Sequence, residues 1–325
     1  MIDLAGMIRN ASARITVISH REEMLPVDIE YVPSSWPVEE DLITAQCPKK
    51  VIFVDSRRRR YASIEVEGCV ILLSQVVTGA VLLEKDRCVP LFSPDNPPMV
   101  NLVLGMPEFI ANLWGLSSDQ RVMIGNLVCD VAVGLNAKDA TDLYMQGIEK
   151  KIVEKFLPDA LVIKDGAIDF ATPTFLVEHG PIGLVKNIHK AYVDRDKFKV
   201  FSSMKKGQRS KCIAVELGHD TEYLKIMTYL KLSSTPGLRG LVRIETVIEK
   251  DRFERVKNDV FATLAGVCDT LIKVSDDSGL IPRAPEDTLP MVFLERYLDQ
   301  YFYNETYVKC ALIQSINSGD FKKTF

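Results

Sequence analysis

The sequence lacks the cysteine pattern of zinc-binding and disulfide-stabilised proteins. Seven cysteines are spread over 325 residues, at positions 47, 69, 88, 129, 212, 268 and 310, and no two form a C-x-x-C pair. Their number is odd and most lie in apolar surroundings, as Cys69 does in "EGCVILL" and Cys129 in "NLVCDVAV". We therefore interpret them as reduced, buried thiols of a cytoplasmic protein, which excludes a disulfide framework and a zinc site.

Long apolar runs and an excess of basic charge are also missing. Polar residues interrupt every stretch of ~18 residues, the length that a membrane helix needs. The first residues, "MIDLAGMIRNASARI", include Asp3 and contain no unbroken apolar core, so we predict neither a signal peptide nor a membrane segment. The formal net charge is −4, so a polyanionic partner would have to be bound by a local basic cluster.

The hydrophobic pattern predicts one α/β domain over residues 1–325, built on a mixed sheet, with α+β as the alternative. No internal repeat or low-complexity tract divides it. Strands are predicted at "VIFVDS", 61–67, "CVILLSQVVTGAVLLEKD" (one strand or two), "ALVIKDG", "KCIAVEL" and "LRGLVRIETVI", the first three as an antiparallel meander. Helices are predicted over residues 1–20, within "MVNLVLGMPEFIANLWGL", and over 118–157, 221–231, 252–274 and 289–303. Residues 1–48 would form a helical, proline-containing lead-in, 49–305 the core and 306–325 a C-terminal extension.

Two aspartates follow apolar runs that are typical of strands buried on both faces. Asp55 ends "VIFVD" and Asp165 ends "LVIKD", where Gly166 allows close approach of the backbone. Each acid is either a solvated turn residue or a functional group held at the end of a core strand. The repetition favours a metal site, because hard divalent cations are bound by carboxylate oxygens.

A third acid is placed by helical spacing. In "GIEKKIVEKFL", Glu149 shares a face with Ile152, Val153 and Phe156, whereas Glu154 lies on the opposite face. A carboxylate on an apolar face is costly unless it is paired or bound to a cation. Glu149 is therefore either a metal ligand or one half of a buried salt bridge, for example to Lys164 or Lys186.

Two basic stretches are either solvated charge runs or contacts for a phosphate backbone. The first, "SRRRRY", directly follows Asp55, and the second, "SMKKGQRSK" at 203–211, has four cations around Gly207 between two predicted strands. The second is predicted to be a mobile basic hairpin or loop.

In their order along the chain, these segments resemble the NurA nuclease family, whose members partner the HerA hexameric DNA translocase. The shared pattern is a strand ending in an aspartate, a helix glutamate, an apolar strand ending in Asp-Gly and a Gly-Val-Val-Lys-like segment. Here these are "VIFVDS", Glu149, "LVIKDG" and "GLVK" with Lys186. "GLRGLVRIE", with Arg243, and "EDTLPMVFLERYLDQYF" resemble the C-terminal strand and helix, so the resemblance covers about residues 48–305.

The resemblance implies an RNase H-like fold and a metal-dependent deoxyribonuclease, with 5′–3′ exonuclease and single-strand endonuclease activity in the resection of double-strand breaks. Asp55, Glu149 and Asp165 would bind Mn²⁺ or Mg²⁺, and Lys186 would lie near the scissile phosphate. The expected DNA contacts are Arg57, Arg58, Arg59, Arg60, Lys205, Lys206, Arg209 and Arg243. It also implies a homodimer that docks on a HerA-like hexamer, and the dense tyrosines of 297–307 favour such an interface.

The chain departs from the family pattern at two places. Ser56 stands where a glycine usually follows the aspartate, and the C-terminal helix offers Glu295, Arg296 and Tyr297 where the family commonly has a histidine. Glu295 then becomes either a metal-side group or a structural one. The departures keep two alternatives open: a catalytically degraded, DNA-binding scaffold subunit, and an RNase H-like enzyme that processes RNA.

Overall fold

The computed structural model places four short N-terminal strands and describes residues 50–318 apart from 86, 119, 158, 169–179, 217–221 and 276–283. The strands are β1 (Ile2–Asp3), β2 (Arg14–Thr16), β3 (Glu30–Tyr31), β4 (Trp36–Glu40), β5 (Lys50–Val66), β6 (Cys69–Glu84), β7 (Arg87–Pro90), β8 (Met99–Pro107), β9 (Arg121–Ile124), β10 (Leu127–Gly134), β11 (Leu161–Asp165), β12 (Ile182–Val185), β13 (Lys190–Ala191), β14 (Cys212–Glu216), β15 (Tyr223–Lys231) and β16 (Leu241–Glu249). The helices are α1 (Glu108–Trp114), α2 (Ala137–Phe156), α3 (Arg195–Val200), α4 (Lys250–Lys273), α5 (Leu289–Asp299) and α6 (Glu305–Ser318), with a 3₁₀ turn at Phe201–Ser203.

Fourteen of these strands form one mixed sheet, in the order β1-β9-β10-β8-β6-β5-β11-β12-β16-β15-β14-β4, with β2 beside β5 and β7 beside β6. β11 runs parallel to both of its neighbours, β5 and β12, whereas β5–β6, β6–β8 and β12–β16 are antiparallel. Helices pack on the sheet, so the predicted α/β class with a mixed sheet is confirmed. None of the helices in the described part of the chain has the length and apolarity that a membrane crossing needs.

Both faces of the central strands are covered, which gives the core two layers. On one face, Phe53, Ile163 and Leu184 pack in the same cluster as side chains of α4 and α5. On the other face, Val54 and Val162 pack against Ile152 and Val153 of α2. The continuous apolar runs of β5 and β11 are explained by this two-sided burial.

The first two strands of the predicted meander are a single strand, which includes the arginine run. The strands predicted at "VIFVDS" and 61–67 are one strand of 17 residues, β5, and residues 57–60 lie inside it, paired with β6. The meander therefore consists of β5, β6 and β8. Charged residues are tolerated here because they alternate between the two faces and meet acidic or aromatic partners there, as Arg58 does at Asp142 and Arg59 at Phe302.

Four helix predictions are wrong in whole or in part. Residues 99–107 form β8 and the helix begins only at Glu108, residues 121–134 form a hairpin, and residues 223–231 form β15. Nearly every residue of β15 is buried, so its sequence shows no alternation of polar and apolar residues that would distinguish a strand from a helix. The helix predicted over 1–20 is contradicted at β1 and β2, and its other residues lie outside the described part of the chain.

Candidate metal centre

Two neighbouring parallel strands bring Asp55 and Asp165 together. Val54 of β5 lies opposite Lys164 of β11 in the register, so the two aspartates follow at the same level of the sheet. Their side chains share the face of Phe53 and Ile163, two residues earlier, which belongs to the core under α4 and α5. The pairing of the two strands thus places two carboxylates that are far apart in the sequence next to each other.

The third carboxylate of the cluster is Glu295 of α5. This helix is packed into the core by Met291, Leu294 and Leu298. Glu295 follows Leu294 in the same helix. One carboxylate oxygen from each of Asp55, Asp165 and Glu295 lies within 4.8 Å of the other two. The sequence had marked Glu295 only as the replacement for a family histidine, either metal-side or structural.

Glu149 lies on the apolar face of α2, and its side chain is 5% exposed. Its Oε2 lies 2.8 Å from the ammonium nitrogen of Lys164. This is the buried salt bridge that the sequence allows as the alternative to metal binding. Lys164 also donates to the backbone carbonyls of Asp165 and Ala167, at 3.1 and 3.3 Å. Glu149 therefore stands beside the carboxylate cluster, with its charge matched by a lysine, and its role as a metal ligand stays a prediction.

Lys186, one residue beyond β12, faces the cluster. Its Nζ lies 2.8 Å from Asp165 Oδ2 and 3.2 Å from Asp287 Oδ1. Burial lowers the pKa of Lys186, but the charges of Asp165 and Asp55 outweigh it and leave the pKa above its ordinary value. The ammonium is therefore charged at neutral pH and fixed at the edge of the site.

The carboxylates carry more negative charge than Lys186 can balance. Burial, reinforced by the charge of Asp165, raises the pKa of Asp55 well above its ordinary range. Burial also raises the pKa of Asp165, although Lys186 opposes that rise. Clustered carboxylates in such a place retain a proton or bind a cation. Three carboxylate donors, with no thiol or imidazole among them, fit a hard divalent cation such as Mg²⁺ or Mn²⁺.

A cavity of about 590 Å³ is lined by two of the three carboxylates of the cluster, Asp55 and Asp165. All four residues predicted as catalytic, Asp55, Glu149, Asp165 and Lys186, contribute to its lining. Its far wall is formed by cationic and aromatic side chains, among them Lys225, Arg243 and Tyr192. The cavity thus joins an acidic wall to a basic one, which suits a ligand that carries anionic groups.

The four arginines predicted to contact DNA lie along β5 next to the cluster. Arg57 lies 3.6 Å from Glu295 and 3.3 Å from Asp299. The ion pair of Arg58 with Asp142 and the position of Arg59 over the ring of Phe302 fix these side chains on opposite faces of the strand. All four side chains, including Arg60, are partly exposed, so their DNA contacts stay a prediction.

The second basic stretch lies between the 3₁₀ turn and β14, and its backbone is tied to β15. Gly207 N–H donates to the Lys231 carbonyl at 2.9 Å, and Ser210 N–H donates to the Tyr229 carbonyl at 2.8 Å. Lys205 is exposed, Lys206 is half-buried and Arg209 lies 3.7 Å from Asp269. A DNA contact there stays a prediction.

Arg243 differs from the other predicted DNA contacts because it is buried. Its side chain is 5% exposed, and its Nε donates to Glu245 Oε2 at 2.7 Å. Arg243 is one of the residues that line the cavity. The DNA contact of Arg243 stays a prediction, and its position in the lining would confine that contact to a group inside the cavity.

Compared with known proteins, the chain matches no protein-family model and no curated protein. Among solved structures it is similar to the crystal structure of the NurA nuclease from Sulfolobus solfataricus, with 12% sequence identity and a TM-score of 0.43. That similarity covers 87% of this chain and 86% of the other. A likeness at this level does not establish a shared family.

Proposed function

We propose that this protein is a divalent-metal-dependent nuclease that hydrolyses phosphodiester bonds of DNA. The observation that carries the proposal is the group of Asp55, Asp165 and Glu295, whose carboxylate oxygens lie within 4.8 Å of one another. Lys186 stands at its edge, and Asp55, Asp165 and Lys186 line a cavity. Carboxylates that converge from two strands and a helix, beside a fixed cation, suit chemistry on a phosphate ester.

In this proposal Asp55, Asp165 and Glu295 hold the cation, Mn²⁺ or Mg²⁺. When bound, such an ion supplies Lewis acidity to a phosphate ester and lowers the pKa of water. Lys186, held by Asp165 and Asp287, positions the phosphate and stabilises the negative charge that develops on it. Glu149, paired with Lys164, fixes the end of β11, and Arg57 orients Glu295.

The finer biological role rests on the sequence resemblance. On that basis we propose a homodimer that works with a HerA-like hexameric translocase in the resection of DNA ends. The arginines of β5 and the basic stretch at 205–209 would follow the DNA backbone, which is bound mainly through sequence-independent cationic contacts.

The test is cleavage of end-labelled single- and double-stranded DNA by the purified protein, with Mn²⁺, with Mg²⁺ and with EDTA. We expect cleavage only with metal, and loss of at least a hundredfold in rate for Asp55→Asn. Asp159→Asn changes an exposed aspartate beyond α2 and serves as the matched control, with unchanged cleavage. A protein that binds DNA but shows neither cleavage nor metal-dependent stabilisation would instead be the degraded, non-catalytic subunit. Preferential cleavage of RNA would point to the RNA-processing alternative.

A further inference from the structure

The basic wall of the cavity is built from two buried cations that share one carboxylate. Lys225 of β15 and Arg243 of β16 both contact Glu245, at 2.9 Å from Lys225 Nζ to Oε1 and 2.7 Å from Arg243 Nε to Oε2. The three side chains are 3%, 5% and 0% exposed, in the order Lys225, Arg243, Glu245. Glu245 Oε1 also accepts the backbone N–H of Ile168 at 2.9 Å, so both of its oxygens are occupied.

Within the described ranges, this arrangement leaves a buried positive charge without a matching anion. Lys225 and Arg243 carry two positive charges and Glu245 carries one negative charge, and the charge of Glu245 raises the pKa of Arg243 against the lowering effect of its burial. The guanidinium of Arg243 is therefore held in its charged form. Burying an unbalanced charge is costly, and proteins accept that cost where a ligand brings the opposite charge.

Lys225 has hydrogen-bond donors to spare. A lysine ammonium has three N–H donors, and among the described residues its hydrogen-bond acceptor is Glu245 Oε1. The ring of Tyr192 lies beside the two cations, with its centroid 5.9 Å from Lys225 Nζ and 5.1 Å from Arg243 Cζ. Because Lys225 lines the cavity while its side chain is 3% exposed, its remaining donors are available to a group bound inside the cavity.

The sheet sets the distance between this wall and the carboxylate cluster. Asp165 of β11 is in register with Leu184 of β12, and the next residue of β12, Val185, is in register with Arg243 of β16. Arg243 therefore projects from the face of the sheet opposite to that of Asp165, and two strand spacings of ~4.8 Å place the backbones of β11 and β16 about 10 Å apart. The cavity connects the two groups, because both residues line it. One nucleic-acid strand can span that distance with two of its phosphates.

We propose that Lys225 and Arg243 form a second phosphate subsite, which binds a phosphate of the nucleic-acid strand close to the one placed at the carboxylate cluster. The nature of the ligand rests on the proposed nuclease function, whereas the anion site itself rests on the buried charge and the spare donors of Lys225. The single excess charge matches the single charge of a phosphodiester. The subsite gives the enzyme a fixed register on its strand without reading the base.

The test measures binding in EDTA, where no cleavage takes place. A fluorescent oligonucleotide of about 12 deoxythymidines is prepared as a set, each member carrying one uncharged methylphosphonate linkage at a different position. Against wild-type protein, one linkage should cost about tenfold in affinity and its neighbours much less. A uniform cost along the strand overturns the proposal, and this arm requires no variant protein.

Lys225→Met then assigns the contact to the subsite. The variant leaves Glu245 balanced by Arg243, so we expect it to fold. Its affinity for the unmodified strand should fall about tenfold and its salt slope by ~0.7, the value for one phosphate on a single strand. The sensitive linkage should lose its effect, and Lys225→Arg should restore it. Lys138→Met, at an exposed lysine of α2, is the matched control and should change nothing.

An unchanged salt slope in Lys225→Met, or a sensitive linkage that stays sensitive, refutes the subsite. Failure of the proposed function gives a different result, because a protein without nuclease activity can still show the linkage-specific loss of binding. An active nuclease whose Lys225→Met variant binds like the wild type would refute the subsite alone.

Discussion

Glu149 and Lys164 form an ion pair that is closed to solvent beside the carboxylate cluster, with 2.8 Å between Oε2 and Nζ and each side chain 5% exposed. Since Lys164 neutralises Glu149, we expect Glu295→Gln to reduce the metal-induced rise in melting temperature more than Glu149→Gln does. A ligand-saturated site at ~100 times its Kd contributes about 2.7 kcal/mol, so the difference is measurable by calorimetry with and without Mn²⁺. The reverse order would make Glu149 the helix ligand.

Replacing the lysine of the same ion pair should lower the stability of the fold strongly. Lys164→Met leaves Glu149 buried without its partner, and the expected loss is about 3–5 kcal/mol of unfolding free energy. The double change Glu149→Leu with Lys164→Met should recover most of that loss, because it removes both charges. Chemical denaturation of the three proteins measures this, and a double variant no more stable than Lys164→Met would contradict it.

Asp55→Asn should stabilise the metal-free protein. Burial and the charge of Asp165 disfavour the ionised form of Asp55, so an uncharged isostere relieves that strain and raises the melting temperature by ~2–4 °C. The same change should abolish the further rise that Mn²⁺ gives to the wild type. Asp159→Asn, measured beside it, should alter neither value, and a destabilised Asp55→Asn protein would contradict the proposed electrostatics.

The pH dependence of stability follows from the same shift. Asp55 and Asp165 have pKa values above 3.8 in the folded chain, so between 3.8 and those raised values the folded state holds more protons than the unfolded state. Stability of the metal-free protein is therefore gained as the pH falls through the raised pKa values and lost as it rises through them. As the pH is lowered from about 8 to about 5 in EDTA, the melting temperature of the wild type should rise relative to that of Asp55→Asn. Parallel curves for the two proteins would contradict the raised pKa values.

The basic stretch between the 3₁₀ turn and β14 should contribute sequence-independent DNA affinity. Changing Lys205, Lys206 and Arg209 to glutamine should weaken binding to all duplexes alike and flatten the salt dependence by ~0.9 for each phosphate that is no longer neutralised. A control that removes the same charge from three other exposed lysines uses Lys85, Lys138 and Lys151. Fluorescence anisotropy over a salt series measures both, and equal slopes for wild type and the first variant would exclude the interaction.

Assembly can be tested on two exposed tyrosines, one just before α6 and one in its first turn. Tyr303 and Tyr307 are 41% and 47% exposed, which is suited to an interface. We expect light scattering at micromolar concentration to give twice the 36.5 kDa of one chain, and Tyr303→Ser with Tyr307→Ser to give the monomer. Phe109→Ser, which changes a 61% exposed residue of α1, should leave the dimer intact. A monomeric wild type would refute the homodimer.

The sequence alone marked Asp55 and Asp165 as acids that follow apolar runs, because that signal is local. Asp165 does end its strand, whereas the prediction of a strand end at Asp55 is wrong, because β5 continues through the arginine run to Val66. A continuous apolar run followed by an acid marks Asp55 and Asp165 within a few residues each, and helical spacing put Glu149 on the buried face of α2. The strands β11 and β16 and the helices α4 and α5 were predictable for the same reason, since each element carries its own hydrophobic pattern.

Only the tertiary structure decided which groups meet. Glu295 lies 240 residues from Asp55, and its place in the cluster depends on how α5 docks on the sheet, which no local pattern reports. The helix prediction at 223–231 failed because a strand buried on both faces loses its alternation. Lys225 and Arg243 became partners through Glu245 only when β15 and β16 paired. Local periodicity determines on which face of its helix or strand a residue lies. Long-range packing determines which side chains of other elements contact that face.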